Sequence, residues 1–98
     1  MTVYTLGVWT VRPGREDEFV AAWDQLGQWT LEQGYDTHGT LVRDRDNPSR
    51  FISFGPWRSV DEAQRWRDTE GFRQHLARIE ETLESFEPGT YDVVMSVS

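Results

Sequence analysis

The order in which hydrophobic periodicity changes along the chain constrains its fold more than any other feature. Residues 2 to 11 alternate, with Val3, Thr5, Trp9 and Val11 on one face and Tyr4, Leu6 and Val8 on the other. A period of two is the mark of a strand, and Pro13-Gly14 ends it. From Arg15 to about Gln33 the period lengthens, and Phe19, Trp23, Leu26 and Thr30 recur at helical spacing. Glu16, Asp17 and Glu18 fill the first turn, where the helix dipole favours negative charge, and Gly34 supplies a left-handed cap at the end. Tyr35 to Arg45 and Arg50 to Trp57 return to strand character, joined by the turn residues Asp46, Asn47, Pro48 and Ser49. Ser59-Val60-Asp61-Glu62 is a capping box that opens a short helix through Trp66. Thr69 or Asp68 caps a second helix carrying Phe72, Leu76, Ile79 and Leu83. Glu87-Pro88-Gly89 reads as a break, and Thr90 to Val97 as a final strand.

The resulting order, β-α-β-β-α-β with the second helix split, is that of a ferredoxin-like α+β fold: a four-stranded antiparallel sheet with its helices on one face. Strand three then poses a problem, because Phe51 and Trp57 fall on one face and Ile52 and Phe54 on the other. The final strand adds the apolar run Val93-Val94-Met95. Helices cover one face only, so the second needs another cover, and the sheet of a second copy provides it. A homodimer is therefore expected. With 98 residues and no long Pro/Gly/Ser-rich stretch, residues 1–98 are expected to form a single domain.

Composition narrows the function. A formal net charge of -7 argues against nucleic acid and anionic membranes as partners, since both call for basic patches. All basic residues are Arg, so Schiff-base chemistry and a phosphate-loop lysine are excluded. The absence of Cys excludes disulfides, thiolate nucleophiles and Cys-based metal sites. Two His among scattered carboxylates have no ligand spacing, and no metal site is expected. The longest apolar run, Phe19 to Trp23, is too short to span a membrane, and no export signal is seen; the cytoplasm is the expected location. Five Trp, five Phe and three Tyr exceed what so small a core requires, which points to a cavity wall or an interface.

The segment Arg50-Phe51-Ile52-Ser53-Phe54-Gly55-Pro56-Trp57, the helix end Trp66-Arg67, Phe72-Arg73 and the stretch Leu83 to Tyr91 resemble the antibiotic biosynthesis monooxygenase family. Pro13 to Phe19 and the Asp44 to Arg50 hairpin are similar to it as well. The resemblance implies a dimeric α+β barrel, with two sheets face to face and helices outside. It also implies a cofactor-independent monooxygenase that oxidises a polycyclic aromatic or quinone-like small molecule with O2. In that chemistry the substrate loses a phenolic or enolic proton and passes electron density directly to oxygen. The protein supplies an apolar pocket, a proton acceptor and hydrogen-bond donors.

On that resemblance Trp57 and Trp66 form pocket walls, joined by Phe72 and Trp23, with Arg73 placed to meet a substrate oxygen at the mouth. Ser53 stands where the oxygenases carry an Asn, and Ala63 where they carry a Tyr. His75 lies on the flank of the last helix's apolar stripe, and His38 falls in strand two on the face of Asp36, Thr40 and Val42. An unperturbed imidazole titrates at about 6.5, which suits proton abstraction near neutrality. The substitutions at Ser53, Ala63 and Gly7 also motivate an alternative, a non-catalytic small-molecule binding or stress-associated protein on the same fold. Haem binding or degradation is a third reading. Its relatives carry an Asn where Gly7 stands and a ligating His ten residues after the Trp, a position that Leu76 occupies; His75 is one residue early, rotated by about 100° around the helix.

Overall fold

The alternating N-terminal segment forms strand β1 (Val3–Val11), and the amphipathic stretch after Pro13-Gly14 forms helix α1 (Glu16–Glu32). These elements belong to a computed structural model that describes residues 2–98. The chain continues through β2 (Thr40–Arg43), β3 (Arg50–Trp57), α2 (Val60–Arg67), α3 (Glu70–Glu80) and β4 (Leu83–Asp92). The strands form one antiparallel sheet in the order β2-β3-β1-β4, the ferredoxin-like α+β arrangement.

Local chemistry explains where the helices begin and end. Gly14 and Gly34 both have positive φ, which costs glycine little, and they bracket α1. Ser59 accepts a hydrogen bond from the Glu62 amide at 3.2 Å and starts α2. Thr69, not Asp68, caps α3 by accepting from the Phe72 amide at 3.2 Å.

Two strands depart from the sequence reading. β2 begins at Thr40 rather than Tyr35, so His38 lies in the preceding loop and not in a strand. Proline explains the shortening: Pro56 has no N–H to offer a longer β2, and its carbonyl accepts the Thr37 hydroxyl instead. β4 runs from Leu83 to Asp92, taking in Glu87, Pro88 and Gly89 as strand residues, while residues 93–98 form no regular element. β4 is an edge strand, where a proline can be accommodated because one side of its backbone needs no ladder partner.

Register fixes the two faces. On the inner face Trp9 pairs with Phe51 and Phe86, while Leu41 pairs with Ser53. Trp9, Val11, Phe19, Leu26, Phe51, Ile79 and Leu83 form the main buried cluster beneath α1 and α3. A second cluster of Val3, Trp57 and Ala63 lies under α2. The outer face carries Tyr4, Ile52, Phe54, Val42 and Tyr91, and no helix among the described residues covers it. Tyr91 is 55% exposed and Val42 43%.

Candidate active site

The separation of the core into two clusters leaves room between them. Trp66 packs against both clusters, and a cavity of about 410 Å3 opens between the inner sheet face and the helices. This volume falls within the usual range for small-molecule pockets, roughly 300–1,000 Å3. Thr5, Trp9 and Ser53 contribute from the sheet. Trp23, Gly27 and Thr30 contribute from α1, and Trp66, Phe72 and Leu76 from α2 and α3.

The aromatic walls are mutually braced. Trp57 and Trp66 lie with ring centroids 4.8 Å apart, and Phe72 meets Trp66 edge-on at 4.5 Å. Tyr35 supports Trp57 from behind at 5.5 Å, also edge-on. Trp9 and Phe86 stack at 3.8 Å with an interplanar angle of 10°. That stack requires Gly7, because a Cβ there would come within 2.9 Å of the Phe86 ring and 3.0 Å of Trp9.

Three indoles are tied to hydroxyls. Trp9 Nε1 donates to Ser53 Oγ at 2.9 Å, Trp57 Nε1 to Thr5 Oγ1 at 3.1 Å, and Trp66 Nε1 to Thr30 Oγ1 at 2.9 Å. Thr30 in turn donates to the Leu26 carbonyl at 2.7 Å. Each pairing relieves the cost of enclosing an indole N–H without an acceptor and fixes the ring plane.

Charged groups are sparse around this space. Arg67 borders it and donates from Nη1 to Thr90 Oγ1 at 2.9 Å; partial burial pulls its pKa below the ordinary guanidinium value. His38 borders it from the loop before β2. That loop lies flat on the sheet because Gly55 has no side chain: a Cβ there would overlap the His38 carbonyl oxygen. The Thr37 bond to Pro56 pins the same segment.

Of the residues singled out in the sequence, His38, Ser53, Trp57, Trp66, Phe72 and Trp23 all line this one cavity. His75 and Arg73 do not. His75 lies 5.5 Å from the Trp29 ring in a separate groove of about 310 Å3 between α1 and α3, bordered by Asp24 and Glu32. Arg73 is exposed on α3. Helical rotation is the reason, since Phe72 and Leu76 take the inward positions and turn residues 73 and 75 aside. Thr5, Thr30 and Arg67 also line the cavity, and none of them stands out as a site residue in the sequence. A hydroxyl within an apolar stripe was the available signal for Thr5, which lies between Val3 and Trp9 on the same strand face, and for Thr30, four after Leu26. Arg67 reads from sequence as part of a solvated face.

The sequence profile of the antibiotic biosynthesis monooxygenases matches residues 2–78. Two structures of SnoaB, a cofactor-independent oxygenase from Streptomyces nogalater, superpose with TM-scores of 0.89 and 0.87. They are 21% and 22% identical, and each alignment covers 98% of this chain and 96% of that one. Rv0793 from Mycobacterium tuberculosis superposes with a TM-score of 0.83 at 17% identity, covering 100% of both chains. No curated protein matches the chain by sequence. No helix among the described residues is long and apolar enough to cross a membrane.

Proposed function

Since the chain belongs to the antibiotic biosynthesis monooxygenase family, we propose that it is a cofactor-independent monooxygenase that oxidises a planar polycyclic aromatic or quinone-like molecule with O2. The observation that carries this reading is the cavity of about 410 Å3, walled by Trp57, Trp66 and Phe72 with an imidazole at its edge. Flat aromatic walls favour a flat ligand, and the hydroxyls between them give it an orientation.

Within this reading His38 accepts the proton that the substrate loses on becoming an enolate or phenolate. Electron density passes from the anion to O2, one oxygen atom ends in a new carbonyl and the other leaves as water. His38 is assigned this part over His75 because it borders the cavity and His75 does not. The walls exclude water and hold the ring system, which confines the reaction to the bound molecule.

The uncovered outer face supports a homodimer. Tyr4, Phe54, Val42 and Tyr91 form an apolar surface on one side of a sheet whose other side faces the helices and the cavity, and a second copy of the sheet is the cover that symmetry offers.

Haem does not fit these residues. The place of the required asparagine is Gly7, closed over by the Trp9 and Phe86 rings, and the histidine of α3 opens into the other groove. A non-catalytic binding protein is the second reading, favoured by Ser53, whose oxygen is already engaged by Trp9 where a longer amide would reach further into the cavity. An oxygen electrode separates the two. With anthrone in chelator-treated buffer the oxygenase consumes O2 above the rate of autoxidation and yields anthraquinone, and His38→Ala lowers that rate about a hundredfold. Tight anthrone binding with no added oxygen uptake would establish the binding protein instead.

A further inference from the structure

The indole–hydroxyl pairs contain more information than their distances. An indole N–H is a donor only, so in each pair the hydroxyl oxygen is the acceptor. A hydroxyl has a single proton, and accepting leaves that proton free to donate. At Thr30 it is already used, on the Leu26 carbonyl. Thr5 and Ser53 differ: among the described residues neither hydroxyl has a protein acceptor for its proton, yet both line the cavity.

Their placement on the sheet is equally specific. Thr5 pairs with Gly55 and Ser53 with Gly7, so the two lie on one diagonal of adjacent strands, on the inner face. Diagonal neighbours of this kind are separated by roughly 7 Å. Between β1 and β3 each has a glycine as its cross-strand partner; on their other flanks stand Thr90, which accepts from Arg67, and Leu41, which has no acceptor, and neither takes up the proton. We propose that Thr5 and Ser53 are a matched pair of hydrogen-bond donors to acceptor oxygens on the edge of a planar ligand, with Trp57 and Trp9 as the positioning residues that aim their protons. The ligand class is thereby narrowed to polycycles bearing keto or phenolate oxygens where they meet the sheet, and plain aromatic hydrocarbons are disfavoured.

In an apolar enclosure such donors strengthen as negative charge builds on the oxygen they meet. Arg67, bonded to Thr90 at the rim, adds positive potential to the same space. The inference rests on the reading of this cavity as the ligand site, and its test is independent of whether oxygen is consumed there.

The probes are 9,10-anthraquinone and anthracene, which share a ring skeleton and differ in the carbonyl oxygens. In the unaltered protein the infrared carbonyl stretch of bound anthraquinone moves to lower frequency than in alkane solution. Thr5→Val and Ser53→Ala each remove part of that shift and weaken anthraquinone binding about tenfold, with anthracene binding unchanged. Thr5→Ser restores both signals. An unshifted carbonyl band in the unaltered protein overturns the proposal without recourse to any variant, which matters because Thr5→Val also deprives Trp57 of its acceptor. Equal loss of both ligands in Thr5→Val, with no rescue by Thr5→Ser, overturns it too. Oxygen uptake with anthrone alongside an unshifted band removes the donor pair and leaves the oxygenase standing. A shifted band without oxygen uptake does the reverse.

Discussion

Thr30 shows how much one atom does in this protein. Its Oγ1 accepts from Trp66 and donates to the Leu26 carbonyl, joining a cavity wall to the backbone of α1, and the residue is only 4% exposed. Thr30→Val keeps the volume and removes both bonds, leaving a half-buried indole N–H without its acceptor. The expected cost is about 1–3 kcal/mol in urea unfolding; a cost near zero would show that Trp66 finds another acceptor. Glu16 makes a smaller point on the surface. Its carboxylate accepts from the Ser49 hydroxyl at 2.8 Å and from the Gly14 amide at 2.8 Å, and its pKa is lowered, with the Ser49 bond the largest cause. A lowered folded-state pKa means that this contribution is present above the ordinary glutamate value and lost as pH falls through the lowered one. Ser49→Ala is expected to move the Glu16 titration upward in carbon-detected NMR. At this scale the sequence was only partly legible. Aromatic wall residues announce themselves by size, whereas His75 and Arg73 depend on helix rotation, and the roles of Thr5 and Thr30 depend on which indole lies opposite.

At the scale of elements, glycines separate positions with room from positions without it. Gly27, within α1 and beside the cavity, has nothing within 4 Å of a would-be Cβ. Gly27→Ala is expected to stabilise by up to about 1 kcal/mol through helix propensity. A Cβ on Gly71, in α3, would overlap the edge of the Trp29 ring. There the same propensity gain is opposed by overpacking of about 1–3 kcal/mol, so Gly71→Ala is expected to lower the unfolding midpoint. Opposite signs from chemically identical changes would bear out the packing of α1 on α3; equal signs would contradict it. The helices were legible because their caps and periodicity agree. The ends of β2 and β4 were not, because Pro56 and Pro88 act through strand position. Pro56 faces the β2 side and stops it, while Pro88 lies in an edge strand that tolerates it.

For the whole molecule, the two-sided character of the sheet was visible in the alternation of Phe51 and Trp57 against Ile52 and Phe54, and the outer face is uncovered as that alternation implies. If a second copy covers it, Tyr4→Glu places a charge in the interface and shifts sedimentation from dimer to monomer; a sedimentation profile unchanged by the substitution would remove that face from the interface. The cavity was less legible than the sheet. Its aromatic lining followed from residue counts and family resemblance, but its position between two core clusters follows from three-dimensional packing around Trp66. A planar ligand is expected to occupy this space and not the groove beside His75. Isotope-filtered NOE spectroscopy of the labelled protein with bound anthraquinone tests that directly. Ligand contacts are expected to the ring protons of Trp57, Trp66 and Phe72, and none to His75. Contacts confined to Trp29 and His75 would contradict it.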